Sequence, residues 1–258
     1  MRSRILHIGL ILALAAAAPA VADVVLPPAI AASPSLKALR KSMLAGQDLS
    51  DLQLQRLADA GEGLAAARYA KRLEERNDPA FVDDAAHYYS IAVFQGRDFA
   101  VPRLLATLTD RRAEFGPARL RNIRAVLERA ARRGDERAAE GLAEVLLKGA
   151  PFPADIARAR ELLLLAAEAG NTRAAMNLAL SHIRGEPGLP PDPEAAVPAL
   201  EIALASPEPG VRAMALSLAR QIPGGEALQA AALPPADPAD LDRSKRPPVR
   251  PSLEGDAP

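Results

Sequence analysis

The sequence has 258 residues, with 32 Lys and Arg against 32 Asp and Glu, and it contains no Cys and no Trp. This balanced charge argues against general affinity for nucleic acid or for anionic membranes. The lack of Cys excludes disulfide bonds and thiolate chemistry. The histidines are His7, His87 and His182, too few and too scattered for a histidine-rich metal site, so we expect neither a metal nor a cofactor.

The first 22 residues have the features of a secretory signal peptide. Arg2 and Arg4 form a short basic region, residues 5–18 are apolar apart from one His, and the small residues at 20–22 provide a cleavage site before Asp23. The apolar run is shorter than the roughly 20 residues that a spanning helix needs, which disfavours the alternative of a permanent anchor. We therefore expect an exported protein, periplasmic or secreted, with no membrane span after cleavage.

An internal repeat dominates the rest of the chain. The ten residues that begin at Gly134 return in recognisable form 36 residues later at Gly170, and both copies contain Arg-Ala-Ala and then Leu-Ala. Such self-similarity is typical of a helix–turn–helix unit that buries its apolar face against neighbouring copies. The abundance of Ala and Leu also favours helices. The sequence therefore predicts an all-α fold, an α-solenoid of stacked antiparallel helix pairs.

Five glycines define the predicted register of this repeat. They are Gly61, Gly96, Gly134, Gly170 and Gly210, at spacings of 35, 38, 36 and 40 residues. The positions four, five, eight and nine residues after each glycine are mostly Ala, Leu or Val, and these offsets lie on one stripe of a helix. A helix that stops and reverses needs a residue that tolerates positive φ, so we expect the five glycines to be equivalent turns.

The segment before the repeats is less regular. Residues 23–60 should contain an extended leader and then two short helices that cap the stack. The first helix would follow Ser35, and the second would follow Ser50 or Asp48, since these residue types accept hydrogen bonds from the first amides of a helix.

The segment after the repeats changes in composition. The solenoid should extend over residues 61–222. Residues 223–258 are rich in Pro, Asp and Arg and hold few large apolar side chains, which predicts a disordered or polyproline tail. Within it, residues 227–232 could form one weak turn of helix.

Residues 155–170 resemble the Sel1-like repeat, a relative of the tetratricopeptide repeat. The match consists of Asp155, the pair Arg158-Ala159, several Leu, the pair Ala166-Ala167 and Gly170. The family's aromatic pair is present in an earlier unit as Tyr88-Tyr89, whereas Leu or Val replaces it in three other units. The resemblance covers residues 61–222. It implies an interaction scaffold or adaptor, and the signal peptide makes the chain similar to periplasmic Sel1-repeat regulators of alphaproteobacteria that bind the outer domain of a sensor histidine kinase.

The residues that most often perform catalysis are sparse and unpaired. The adjacent acids Asp83-Asp84 lie near a predicted helix N-terminus, which favours acids on electrostatic grounds alone. We find no catalytic serine motif and no phosphate-binding glycine loop, so we predict no catalytic residues and no enzyme activity.

Histidines and tyrosines fall at positions that suit packing. His87 and His182 belong to different repeats, which favours a packed helix face over a shared ligand site. Tyr69, Tyr88 and Tyr89 occupy repeat positions that lie between helices, and we interpret them as core.

The exposed side of the first helices supplies the candidate binding residues. In stacked helical repeats the first helix of each pair lines the concave surface. Away from the Ala/Leu stripe, these helices carry basic and polar residues with almost no acid. The residues are Arg68, Arg72, Arg103, Thr107, Arg137, Lys148, Arg173, Asn177, Ser181 and Arg184.

These residues suit an acidic protein partner, because Arg makes bidentate contacts with carboxylates. The alternative is that they are ordinary solvated charges. The sequence thus predicts an exported, non-catalytic scaffold or regulator that binds a partner protein, such as a sensor kinase's periplasmic domain or an envelope complex. Two other interpretations stay open: an accessory protein that binds peptidoglycan or acidic polysaccharide, and a structural element with no single partner.

Overall fold

The computed structural model describes residues 26–110 and 112–232, and in these ranges every regular element is helical. The predicted signal peptide, residues 1–22, and residues 233–258 of the predicted tail lie outside the described ranges. The described residues form thirteen α-helices, three short 3-10 turns and one isolated β-bridge between Glu186 and Leu189. The predicted all-α class is confirmed.

After a short helix α1 (Pro28–Ala32), the helices of the described part form six antiparallel pairs. The first helices of the pairs are α2 (Pro34–Leu44), α4 (Gly63–Glu75), α6 (Val101–Thr109), α8 (Glu136–Lys148), α10 (Thr172–Arg184) and α12 (Pro209–Ala219). The second helices are α3 (Asp51–Asp59), α5 (Val82–Phe94), α7 (Pro117–Arg132), α9 (Ile156–Glu168), α11 (Val197–Leu204) and α13 (Gly225–Ala232).

The helices stack as the repeat predicts. Each helix from α2 onward packs against the next one along the chain, except that α7 follows α6 through a longer connection and packs chiefly on α5 and α8. Contacts also join equivalent helices of successive pairs, such as α6 with α8 and α10 with α12. This arrangement is an α-solenoid, so the predicted architecture is confirmed.

Four of the five predicted glycines make the same turn. Gly61, Gly96, Gly134 and Gly170 have φ values of 87°, 76°, 91° and 104°. At each of them the glycine amide donates to the carbonyl three residues earlier, and the following amide donates to the carbonyl five residues earlier, at distances of 2.8–3.1 Å. This pair of bonds satisfies the last carbonyls of the helix and reverses the chain.

Gly210 does not make a fifth such turn, and its predicted equivalence is wrong. It lies inside α12, and it is not among the residues with positive φ. Ser206 takes the corresponding place, 36 residues after Gly170, and its amide donates to the carbonyl of Ala203 at 3.2 Å. As a consequence Met214, which was expected on the packed stripe, is 56% exposed. The turn after α11 closes without a positive φ, so no glycine marks it.

The Ala/Leu stripe is buried in the regular units. On α8, Leu142 and the three Ala residues of the stripe are at most 1% exposed. Facing helices come very close: a Cβ atom built on Gly141 of α8 would lie 2.2 Å from Cδ1 of Leu105 on α6. Small side chains on the stripe therefore permit the close stacking that the periodicity predicts.

The N-terminal helices form a small core of their own. This cluster consists of Ile30, Met43, Leu49, Leu54, Leu57 and Ala65. Tyr69 of α4 packs against both this cluster and the main core, and so joins the two. The predicted capping role of this region at the end of the stack agrees with its position.

Two details of the N-terminal prediction are corrected. The leader is not wholly extended, because α1 forms within it and buries Ile30. The first capping helix begins at Pro34 rather than after Ser35, and Ser33 accepts the amide of Leu36 at 3.3 Å. The Ser50 prediction is confirmed, since Ser50 and Gln53 form a reciprocal capping box.

The C-terminal end of the stack extends further than predicted. Helix α13 falls within the range 223–258, which was expected to be disordered tail. Leu228 of this helix is buried and belongs to the main core. One large apolar side chain is enough to dock a short helix on an existing surface, whereas the sequence predicted no more than one weak turn of helix at residues 227–232.

The glycine turns provide a test of the register. We expect Gly170→Ala to lower stability by about 1 kcal/mol, because Gly170 has φ of 104° and a Cβ there has no atom within 4 Å, so backbone strain is the main cost. Gly210→Ala is the matched control, since Gly210 lies in a helix and is equally open. It should leave stability unchanged or raise it. Thermal unfolding followed by circular dichroism measures both, and equal melting temperatures would contradict the assignment.

Candidate functional site

The first-helix face is the exposed surface of α4, α6, α8 and α10, where the seven predicted binding residues lie. Arg68, Arg137 and Arg184 are exposed, and Asn177 is half-buried. Arg68 donates to the carbonyl of Met43 at 3.3 Å. Neither Arg184 nor Asn177 makes a side-chain hydrogen bond or ion pair with another described residue.

Arg72 is not a free charge, because it forms hydrogen bonds and ion pairs with the segment that caps the N-terminal end of the stack. Its Nη1 donates to Oδ1 of Asp51 at 2.8 Å and to the carbonyl of Leu49 at 2.7 Å, while Nη2 pairs with Asp48. Arg76 donates to the second oxygen of Asp51 at 2.7 Å. The hydrogen bonds from Arg72 and then Arg76 hold the pKa of Asp51 below its ordinary value. These bonds fasten α4 to the start of α3.

Arg103 likewise connects neighbouring units. Its Nη1 donates to Oε1 of Glu74 at 3.0 Å, and the other oxygen of Glu74 accepts the hydroxyl of Tyr89 at 2.7 Å. Burial, followed by the hydrogen bond to Glu74, raises the pKa of Tyr89 above its ordinary value. One carboxylate on α4 thus joins α5 and α6.

Arg173 binds a buried carboxylate. Glu140 of α8 is only 4% exposed. Its Oε1 accepts from Nε of Arg173 at 2.6 Å, and its Oε2 accepts from the amide of Asn171 at 2.8 Å. A buried carboxylate needs such partners, since the loss of hydration is otherwise costly. Both partners lie at the start of α10, so this contact joins two successive repeats.

The predicted arginines therefore fall into two groups: those whose charge is matched by an acid of another element, and those without such a partner in the described part. Arg72, Arg103 and Arg173 have their charges matched by acids on other helices or in the loops before them. Arg137 has its nearest carboxylate only two residues away, in Asp135 at 3.8 Å, and it stays 57% exposed. The first-helix face is consequently less basic than the sequence indicated, because the matching acids come from elements that the helical pattern does not place beside it.

The other polar residues of the predicted set have structural roles. Thr107 and Ser181 are buried. The hydroxyl of Thr107 donates to the carbonyl of Leu104 at 2.7 Å, and Ser181 Oγ accepts from Nε of Arg160 at 2.9 Å. Lys148 is exposed and pairs with Glu144 on its own helix at 3.8 Å.

The tyrosines lie in the core, as predicted. Tyr88 and Tyr89 are buried, and Tyr69 packs edge-on against Tyr88 with ring centroids 4.8 Å apart. The hydroxyl of Tyr88 donates to Asp59 at 3.0 Å, and burial is the main cause that raises its pKa to about 12.

His87 and Asp83 are joined by a residue that the sequence interpretation did not connect to them. Arg119 of α7 donates through Nε and Nη2 to the two oxygens of Asp83, at 3.1 and 3.2 Å, and through Nη1 to Nδ1 of His87. Burial and the nearby Arg119 lower the pKa of His87. Arg119 stands 36 residues after Asp83, so the repeat spacing was the signal that could have identified the pair.

His182 lies on α10, in a different repeat from His87, Asp83 and Arg119. Burial is the main cause that lowers the pKa of His182, and the nearby charge of Arg160 lowers it further, while Asp192 opposes the shift.

Within the described ranges, His, Cys, Asp and Glu form no group of three or more that could hold a metal ion. No helix of the described part is long and apolar enough to cross a membrane.

The buried Glu140 predicts that Arg173 is needed for stability. Arg173→Ala should destabilise the fold by about 1–3 kcal/mol, because it leaves the carboxylate without its guanidinium partner. Arg137→Ala, the exposed control on α8, should change stability by less than about 0.5 kcal/mol. Adding Glu140→Gln to Arg173→Ala should restore part of the loss, since it removes the unmatched charge. Urea unfolding measures all three, and equal effects of the two single variants would contradict the buried ion pair.

No family model and no curated protein matches this chain. Among solved structures, its fold is similar to c5321, a protective antigen present in uropathogenic Escherichia coli strains that displays an SLR fold. That similarity has a TM-score of 0.48 and 15% identity, and it covers 71% of this chain and 40% of the antigen chain. The fold is also similar to a Sel1 repeat protein from Oxalobacter formigenes, with a TM-score of 0.38, 17% identity, and coverage of 75% of this chain and 90% of the other. The likeness to both structures is one of fold.

Proposed function

We propose that the protein is an exported, non-catalytic scaffold that binds a partner protein through the first-helix face. The observation that carries this proposal is a set of exposed arginines whose charges no acid of a neighbouring unit matches. Arg68, Arg137 and Arg184 are exposed on three first helices, and none of them pairs with an acid of a neighbouring unit within the described part. Their charges are available to a partner, although Arg68 also donates a hydrogen bond to the carbonyl of Met43.

The chemistry of these groups indicates an acidic partner surface. Guanidinium groups form strong, directional hydrogen bonds with carboxylates, so an acidic segment or domain suits the first-helix face. The signal-peptide features of residues 1–22 support a location in the periplasm or outside the cell. The periplasmic domain of a sensor kinase or a component of an envelope complex would meet both conditions.

The non-catalytic part of the proposal is supported by what the reactive side chains do. His87 and Asp83 are held by Arg119, the hydroxyl of Ser181 by Arg160, and that of Ser206 by Thr172. The contacts of Arg119 and Arg160 join different helices, and that of Ser206 joins the turn after α11 to the start of α10. These reactive side chains are thus employed in holding neighbouring elements together.

Charge reversal tests the proposed face and leaves the ion pairs between units in place. We expect the triple variant Arg68→Glu, Arg137→Glu, Arg184→Glu to reduce capture of the main partner at least about tenfold, because each change replaces a group suited to carboxylates with one that repels them. The triple avoids Arg72, Arg103 and Arg173, whose loss would break contacts between units. Capture is measured by cross-linking in the source cells and quantitative mass spectrometry.

The matched control carries the same change in charge on other surfaces. Arg121→Glu, Arg132→Glu and Arg220→Glu alter exposed arginines outside the first-helix face. This control should capture the partner within about twofold of the unaltered chain, and circular dichroism should show equal helix content for both triples. Equal capture by the two triples would contradict binding through the first-helix face.

A sedimentation experiment distinguishes the proposed scaffold from the alternative interpretation, an accessory protein that binds the cell wall. Since acids match several of the arginines, we expect little of the protein to sediment with purified sacculi at low salt. Strong sedimentation that salt abolishes and that the first-helix triple loses would favour peptidoglycan or acidic polysaccharide as the ligand.

A further inference from the structure

A groove on the second helices is lined largely by residues that take no part in the contacts described so far. It lies between the second helices α3, α5 and α7 and has a volume of about 350 Å³. We call it the second-helix groove and define it by Ile91, Phe94, Val126, His87 and Asn122, which lie on its walls. The first three make it apolar, and the last two place hydrogen-bonding groups in it.

An exposed aromatic ring and an unmatched charge lie together at the groove. Phe94, at the end of α5, is 47% exposed. The guanidinium carbon of Arg129 on α7 lies 4.4 Å from the centroid of the Phe94 ring. Arg129 forms no ion pair with another described residue, whereas its neighbours Arg132 and Arg133 pair with Glu128 and Asp98. Aromatic residues, Phe included, and Arg are both enriched in the cores of protein interfaces.

The groove also holds hydrogen-bond donors. Arg119 can only donate, so Nδ1 of His87 accepts from it, and the proton of the neutral imidazole is on Nε2. Asn122 is exposed, and its side-chain amide can donate. The charge of Arg119 is matched by Asp83, whereas Asp59 on the wall accepts the neutral hydroxyl of Tyr88 and forms no ion pair with another described residue. Beside the ring of Phe94, the unmatched charge is the positive one of Arg129.

We propose that the second-helix groove binds a protein segment that carries a large apolar side chain next to a carboxylate. The apolar side chain lies on Ile91, Phe94 and Val126, and the carboxylate pairs with Arg129. Backbone carbonyls of the segment accept hydrogen bonds from His87 Nε2 and from the amide of Asn122. This site is distinct from the first-helix face, so each can be correct without the other.

Peptide display on the full chain provides the probe. We expect a library of random peptides selected on the immobilised protein to enrich sequences in which Leu, Phe or Met adjoins Asp or Glu. Dissociation constants of enriched peptides are then measured by calorimetry. Replacing the acid of a peptide by its amide should weaken binding at least about tenfold, because the partner of Arg129 is lost.

Matched substitutions in the protein locate the site. Phe94→Ser and Arg129→Gln should each weaken peptide binding at least about tenfold. Their controls are Phe99→Ser, which changes a 58% exposed aromatic residue outside the groove, and Arg132→Gln, which changes an adjacent arginine of α7. Both controls, and the triple variant of the first-helix face, should bind within about twofold of the unaltered chain.

Three results would overturn the proposal. They are the absence of enrichment over bare support, enrichment of peptides without an apolar–acidic pair, and binding that Phe94→Ser and Arg129→Gln leave unchanged. Because Phe94 and Arg129 are exposed, these variants should keep the melting temperature of the unaltered chain, which separates loss of the site from loss of the fold.

Discussion

Close approach between helices is the constraint on which the rest of this structure depends. Buried Ala residues on the first helices allow each pair to stack on the next, and contacts such as Leu105 against Gly141 leave no room for a larger side chain without a shift. The glycine turns that follow α3, α5, α7 and α9 return the chain to the same position in successive units. The repeat is therefore defined by small residues on the stripe and by glycines with positive φ at the turns. Polar side chains lie at the remaining positions.

Charged pairs between successive units are a second level of organisation. Three of them join residues that are 33–36 positions apart, close to one repeat: Asp83 with Arg119, Asp98 with Arg133, and Glu140 with Arg173. Exposed pairs of this kind contribute little free energy each, so their main effect is to favour one register of stacking over others. Glu140 is the exception because its carboxylate is buried.

Because these pairs use arginine, the unmatched basic surface is smaller than the helical pattern indicates. A helical pattern alone assigns most of the arginines on the first helices to one cationic groove. After the acids of neighbouring elements are taken into account, a smaller set remains on the first-helix face, and a separate unmatched arginine, Arg129, stands over Phe94 on the second helices. The two surfaces share no residues.

The sequence by itself determined the helical class, the stacked pairs, the stripe and four of the turns, because all of these depend on residues close together in the chain and on a regular period. It also placed Tyr88 and Tyr89 in the core. The tertiary structure decided what depends on neighbours from other units. Ser206 replaces Gly210 as a turn because the end of α11 closes without a positive φ. Helix α13 forms where the sequence predicted only one weak turn, because the preceding helices offer a surface to Leu228. Which arginines keep a free charge was decided in the same way, since their partners lie about one repeat away, and only the stacking of the helices brings the two together.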